Sequence, residues 1–151
     1  MKTLANVPDL INIRARLAGL TPADQALWGQ MNVAQMICHL SDSFRVPLGE
    51  VPTAPLKISS LPIPIMKWFA FKAPMKWPRG TPTLPEVKHD IGGTPPAEFQ
   101  ADLRRLLRYL DAFAEHTAPW ASHPIFGPLT TAEWMRWGYL HCDHHLRQFG
   151  R

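Results

Sequence analysis

The sequence predicts an all-α fold, in which four main helices form a bundle with a short extra helix and a long central crossover connection. Apolar residues recur at helical spacing in several separate segments. Strand signals are nearly absent, because the chain has no Asn-Gly hairpin turn and no sustained alternation of β-branched residues. Eleven of the 16 prolines fall between Pro47 and Pro96, which makes that stretch loop-rich and leaves both flanks open to helix formation.

The N-terminal part contains two predicted helices. The first spans Pro8–Leu20, with Gly19 as its stop signal. The second begins at Asn32, because asparagine caps helix N-termini well and Gln35, three residues later, completes a capping box. This helix should end before Pro47, since the residue that precedes a proline avoids the helical region.

The proline-rich middle is predicted to be mostly irregular. Pro47–Ser60 is a connector, a short apolar helix covers Pro64–Ala73, and Pro74–Pro96 forms a long segment without periodicity. Irregular segments of that length in a small domain usually carry function or cover a site. We therefore expect this part of the chain to shape a pocket.

Two further helices are predicted in the C-terminal part. The first starts at Thr94–Pro96 and is strongly amphipathic. Its apolar stripe consists of Phe99, Leu103, Leu106, Leu107, Leu110 and Phe113. The last helix is capped by Thr130 or Thr131, and Thr130 makes a second capping box with Glu133. It should run to about Phe149.

The composition indicates one folded domain over residues 1–151. A hydrophobic fraction of 46% and a charged fraction of 19% are typical of globular proteins, and the length suffices for a core. The net charge of +4 is modest, and Arg104, Arg105 and Arg108 lie on the predicted solvated side of a helix. We expect a small-molecule substrate and no nucleic acid, with binding through these arginines as the less favoured alternative.

The sequence further indicates a cytoplasmic protein. The N-terminal segment lacks the continuous apolar stretch of a signal peptide, and no apolar run reaches the roughly 20 residues of a membrane span. Cys38 and Cys142 belong to no CxxC motif or secreted-type framework. Prolines interrupt the Lys-Trp pairs at 67–68 and 76–77, so we expect no membrane partner. Homodimer formation remains open.

Two histidines of the last helix point in one direction. His141 and His145 are one helical turn apart, so their side chains share a face. Trp134, Trp137 and Gln148 lie on the same face, which indicates that it faces inward. We expect the two imidazoles to point into the bundle, with Trp134 and Trp137 lining a substrate pocket.

The second helix carries a matching polar stripe. Its members, about one turn apart, are Gln35, His39, Asp42 and Ser43. A buried polar group costs free energy unless it has a partner, so the stripe requires a metal ion, a ligand or a facing polar network. A hydrogen-bonded set of core histidines without a metal remains an alternative, and His144 could replace His145 at a spacing of three residues.

His39, His141 and His145 together form a donor set for a divalent first-row metal such as zinc or nickel. Three protein ligands leave a position open for water or substrate. Four side chains could accept a hydrogen bond from the remote ring N–H of a ligand: Gln35, Asp42, Ser43 and Gln148. The catalytic residue is not identified by the sequence, and Asp42 is the best candidate for a general base.

Each cysteine adjoins one of these histidines in the sequence. On a helix, neighbouring residues point about 100° apart, so neither Cys38 nor Cys142 shares the direction of its histidine. Free cysteine is among the most buried residue types. We therefore interpret both as buried structural residues.

Four segments carry a family resemblance: Trp28–Met36, Cys38–Leu40, His123–Gly127 and His144–Phe149. They resemble a branch of the DinB-like superfamily, whose members share a four-helix bundle with an up-down-down-up course. Its members typically hold a metal ion with one histidine of the second helix and an H-x-x-x-H pair of the last. The resemblance thus implies His39, His141 and His145 as ligands.

The resemblance also implies a class of chemistry. Characterised relatives include transferases and isomerases that use low-molecular-weight thiols such as mycothiol or bacillithiol, and the metal activates the thiol. We therefore expect a metal-dependent enzyme that acts on a small molecule, by thiol S-transfer or by hydrolysis. The alternative is a non-catalytic small-molecule-binding or interaction protein that has kept the bundle. Val51–Gly93 matches no part of the superfamily.

Overall fold

The computed structural model describes residues 1–73, 76–79, 87–88 and 91–151. In these residues the chain is all-helical, with five helices and no strand. The helices are α1 (Val7–Ala18), α2 (Val33–Arg45), α3 (Ile63–Phe71), α4 (Phe99–Ala114) and α5 (Thr131–Gln148). Among these five helices, none is both long enough and apolar enough to cross a membrane.

Both predicted capping boxes are confirmed. Asn32 Oδ1 accepts from the Gln35 backbone N–H at 2.9 Å, and the Asn32 backbone N–H donates to Gln35 Oε1 at 2.9 Å. At the start of α5 the same exchange joins Thr130 and Glu133 at 2.8 and 3.2 Å. These caps satisfy backbone N–H groups that have no partner within the helix. They fix the starts of the two helices that carry the histidines.

The helix α4 begins later than the sequence suggests. Glu98 caps it, because its carboxylate accepts from the backbone N–H groups of Gln100 and Ala101 at 2.9 and 2.6 Å. Thr94 does not start the helix, since its N–H and hydroxyl both donate to Asp42 on α2. Residues 94–98 therefore form a non-helical segment before α4, and the hydrogen bonds of Thr94 join this segment to α2.

The helices pack around one apolar core. α2 packs on α4, α1 contacts both α4 and α5, α2 contacts α5, and α3 lies against α5. The largest fully buried side chains come from the N-terminal segment and four of the helices: Leu4, Ile13, Leu17, Met36, Ile37, Leu40, Phe44, Leu106, Leu110, Phe113, Trp134 and Leu146. α3 is only partly covered, since Trp68 is 51% and Phe69 49% exposed.

A glycine in the middle of α5 permits close packing at the end of this core. A Cβ atom on Gly138 would lie 2.7 Å from Leu4 Cδ1 and 2.8 Å from Phe113 Cε1. Both contacts are shorter than van der Waals separation, and both neighbours are themselves buried. The absence of a side chain at this position thus lets the N-terminal segment and α4 approach α5.

We expect Gly138→Ala to lower the free energy of unfolding by about 1–2 kcal/mol, because overpacking outweighs the better helix propensity of alanine. Gly19→Ala is the matched control. There φ is −83° and the nearest atom to a new Cβ is 3.4 Å away, so alanine fits. Urea titration of both variants measures the difference, and equal stability of the two would contradict the packing argument.

Candidate metal centre

Three imidazoles meet between α2 and α5. One ring nitrogen from each of His39, His141 and His145 lies within 4.8 Å of the other two. The Nε2 atoms of His39 and His141 are 3.3 Å apart. Two metal–imidazole bonds of about 2.05 Å at a tetrahedral angle span about 3.3 Å, so this pair already has the required separation. The three histidines lie close together and could bind a metal ion.

The tautomer of His39 is set by a backbone carbonyl. His39 Nδ1 lies 2.9 Å from the carbonyl oxygen of Val87. Because a carbonyl oxygen can only accept, Nδ1 carries the proton. In the neutral ring the lone pair is then on Nε2, the nitrogen that lies beside His141. This is the form in which an imidazole binds a metal ion.

The tautomer of His145 is set through Gln148. The side-chain amide of Gln148 donates from Nε2 to the carbonyl oxygen of Trp28 at 2.7 Å. This contact orients the amide, so its Oε1 accepts from His145 Nδ1 at 2.9 Å. His145 Nδ1 therefore holds a proton and Nε2 carries the lone pair. Gln148, which the sequence suggested as such a partner, thus orients one histidine of the cluster.

Burial keeps the α5 histidines neutral. It lowers the pKa of His141 well below its ordinary value, and the neighbouring His145 and His39 lower it further. Burial likewise lowers the pKa of His145, again with a contribution from His39. A metal ion binds the neutral imidazole, so these shifts remove proton competition at neutral pH.

A cavity of about 680 Å³ opens above the three histidines. Its walls are mostly apolar and come from the loops and connections around α3, from α2, α3 and α5, and from the α1–α2 loop. They include Trp28, Met31, Met66, Phe69, Trp77, Phe126, Trp134 and Trp137. The two tryptophans that the sequence assigned to a pocket therefore do line one. The partly exposed helix α3 forms part of its rim.

Two of the suggested polar residues are bound elsewhere. The Asp42 carboxylate accepts from the Thr94 backbone N–H at 2.6 Å, from the Thr94 hydroxyl at 2.8 Å and from Arg45 at 3.1 Å. It does not line the cavity, which argues against the general-base role that the sequence suggested. Gln35 uses its Oε1 atom in the α2 capping box rather than beside a histidine.

Two further residues that the sequence singled out, Ser43 and His144, lie at the cavity. Ser43 lines the cavity, and its buried hydroxyl has no hydrogen-bond partner among the described residues. His144 also lines the cavity but is not part of the three-nitrogen cluster. Asp143, between His141 and His145 in the sequence, is half-buried and forms ion pairs with Arg16 and Arg147 at 2.9 and 2.8 Å.

Both cysteines are buried, and they do not form a disulfide bond. Burial raises the pKa of the Cys38 thiol to about 11, with a further contribution from Asp102. Burial also raises the pKa of Cys142. Neither is a thiolate at neutral pH, which agrees with the interpretation of both as structural residues.

His123 lines the cavity, although the sequence gave it no role. Its Nδ1 accepts from the backbone N–H groups of Ile125 and Phe126 at 3.1 and 3.4 Å, within a turn closed by the backbone pair of His123 and Gly127. Nδ1 therefore has no proton and Nε2–H is the donor. Burial, aided by the charge of Lys67, lowers the pKa of His123 to about 3. The sequence signal that could have identified His123 is the His-Pro-x-Phe-Gly segment, which forms this tight turn.

The buried His123 should make stability depend on pH. The unfolded chain binds a proton below about pH 6.5, whereas the folded chain does not until about pH 3, so lowering the pH favours unfolding. His123→Asn keeps an acceptor for the turn but cannot titrate. In chelator-treated protein, the slope of the unfolding free energy against pH between about 5.5 and 4.5 should fall by about 1.4 kcal/mol per unit. An unchanged slope would contradict a neutral His123.

Comparison with known proteins gives one match. A family model described as "Protein of unknown function (DUF1569)" covers residues 3–151, which is nearly the whole chain. No curated protein and no solved structure matches. The chain belongs to the DUF1569 family.

Proposed function

We propose that the protein is a metal-dependent enzyme that acts on a small molecule. In this proposal His39, His141 and His145 bind one divalent ion, zinc or nickel, and the substrate enters the cavity above them. One observation carries the proposal, the convergence of three imidazoles at the floor of an apolar cavity. Two of them hold their remote ring proton on Nδ1, which leaves Nε2 for the metal.

The proposal includes membership of the DinB-like superfamily and its up-down-down-up helix course. The order of the elements supports it, because α1, α2, α4 and α5 are four longer helices and α3 belongs to the connection between the second and third. The pairing of α2 with α4 and of α1 with α5 also agrees with such a course. The candidate ligands come from the second and the last of these helices, as in that superfamily.

The proposed reaction is thiol S-transfer or hydrolysis. A bound divalent ion would supply a lowered pKa for a thiol or a water molecule, so that a nucleophile exists at neutral pH. The chain itself contributes orientation and exclusion of water. Val87 and Gln148 hold the rings of His39 and His145 in place, and the tryptophan-rich walls keep the local dielectric low. His123 keeps a proton on Nε2 as a neutral donor at the cavity wall.

A second candidate is a non-catalytic small-molecule-binding protein. One observation favours it, since no aspartate or glutamate of the described residues lines the cavity. The Asp42 carboxylate accepts hydrogen bonds from Thr94 and Arg45, so Asp42 does not supply a general base in the cavity. Thiol transfer does not need a separate base once the thiol is ionised, and we therefore retain the enzyme as the first proposal.

We expect the protein, purified without a histidine tag, to contain about one equivalent of zinc, nickel or a similar metal by elemental analysis. His145→Ala should lose the metal. His144→Ala is the matched control, because it removes the neighbouring imidazole from the same cavity but not from the three-nitrogen cluster. Full metal content in the His145→Ala variant, or no metal in the natural protein after incubation with zinc, would overturn the proposal.

The role of Gln148 gives a separate test. Gln148→Ala removes the acceptor for His145 Nδ1–H, and we expect the zinc dissociation constant to rise by about 10–100-fold. Gln35→Ala should leave this constant unchanged while it lowers the free energy of unfolding, because Gln35 acts in the α2 cap. Competition with a chromophoric chelator measures the affinity. Equal effects of the two substitutions on affinity would contradict the role of Gln148.

A further inference from the structure

We propose that the cavity takes small molecules that combine an apolar body with an anionic group, and that Lys76, Arg79 and Arg147 hold the anionic group at the mouth. The inference rests on the proposed use of the cavity as a substrate site and names the chemical class of the ligand. Carboxylates, phosphates and sulfonates share the required chemistry.

The apolar body is indicated by the walls of the main cavity. Most of the residues that form them are aromatic or aliphatic. A cavity of about 680 Å³ lies in the range that encloses a small organic ligand. Apolar surface that a ligand buries here leaves water at about 25 cal/mol per Å², so such a ligand gains affinity without specific contacts.

The anionic group is indicated by a second cavity, of about 330 Å³, which adjoins the first. It is lined by Trp28, Lys76, Trp77, Arg79 and Arg147. Every charged side chain in this set is a cation. Arg147 is paired with Asp143 at 2.8 Å, but within the described ranges neither Lys76 nor Arg79 forms an ion pair. The guanidinium of Arg79 lies over the Trp28 ring, 4.3 Å from its centroid.

The two cavities share their walls. Trp28, Lys76 and Trp77 line both of them. The Trp77 ring centroid is 6.0 Å from that of His141 and 6.4 Å from that of His144, so the cationic cavity lies beside the histidine cluster. One ligand can therefore extend from the apolar cavity to the cations. Uncompensated positive charge at the entrance to a low-dielectric cavity attracts anions in particular.

The test compares octanoate with octan-1-ol, which share a chain and differ in charge. Calorimetric titration uses protein that a chelator has freed of metal, at neutral pH and low salt. We expect octanoate to bind about tenfold more tightly than octanol, which corresponds to about 1.4 kcal/mol. Lys76→Gln/Arg79→Gln should abolish this preference and leave the octanol affinity unchanged. Lys57→Gln/Arg108→Gln, which changes the net charge equally at two residues that line neither cavity, should retain it.

The outcomes separate this inference from the proposed function. A preference that survives in the Lys76→Gln/Arg79→Gln variant, or no preference in metal-free protein, overturns the inference. A preference that arises only after zinc is added also overturns it, because the anion then binds at the metal, and the proposed function stands. A preference that depends on the two cations in a protein that binds no zinc supports the inference while the proposed function fails.

Discussion

Burial of imidazoles is the constraint on which the site depends. A polar group inside an apolar interior costs free energy unless it is hydrogen-bonded, and His39 and His145 are both buried. The Nδ1–H of His39 donates to the backbone carbonyl of Val87, and the Nδ1–H of His145 donates to Gln148 on its own helix. Gln148 in turn donates to the Trp28 carbonyl, so carbonyls from two loops fix both rings, one directly and one through Gln148. These hydrogen bonds orient the two rings and also hold the two loops against the helices.

The same loops form part of the walls of the cavity, so the ring orientations of the histidines and the shape of the cavity are coupled. The Trp28 carbonyl accepts a hydrogen bond from Gln148, and the Arg79 guanidinium lies over the Trp28 ring. Gly29 makes this geometry possible. Its φ of 82° favours glycine, and a Cβ atom there would lie 2.6 Å from Gln148 Nε2. Trp28 and Gly29, two residues of one loop, therefore connect the three-histidine cluster with the second, cationic cavity.

Features that depend on local sequence were predictable. The capping boxes at Asn32 and Thr130 follow from residues three positions apart, and the helical period brings His141 and His145 onto one face. Contacts between segments that are distant in the sequence were not predictable. The polar stripe on α2 did not reveal that Asp42 binds Thr94, 52 residues away. The Val87 carbonyl belongs to a segment without periodicity, so no pattern pointed to it.

The balance of charge links the two halves of the site. In the proposed site, three imidazole ligands would leave the charge of a bound divalent ion uncompensated, because no acidic side chain of the described residues lines the cavity. At the mouth, Lys76 and Arg79 add positive charge that no ion pair within the described residues balances, whereas Arg147 is paired with Asp143. None of the described side chains around the cavity supplies a compensating anion, so in the proposed site it would come from a ligand, as an ionised thiol, a hydroxide or an anionic group of the substrate. Such a site would select for anionic reactants, because it would lower their free energy relative to that of neutral molecules of the same shape.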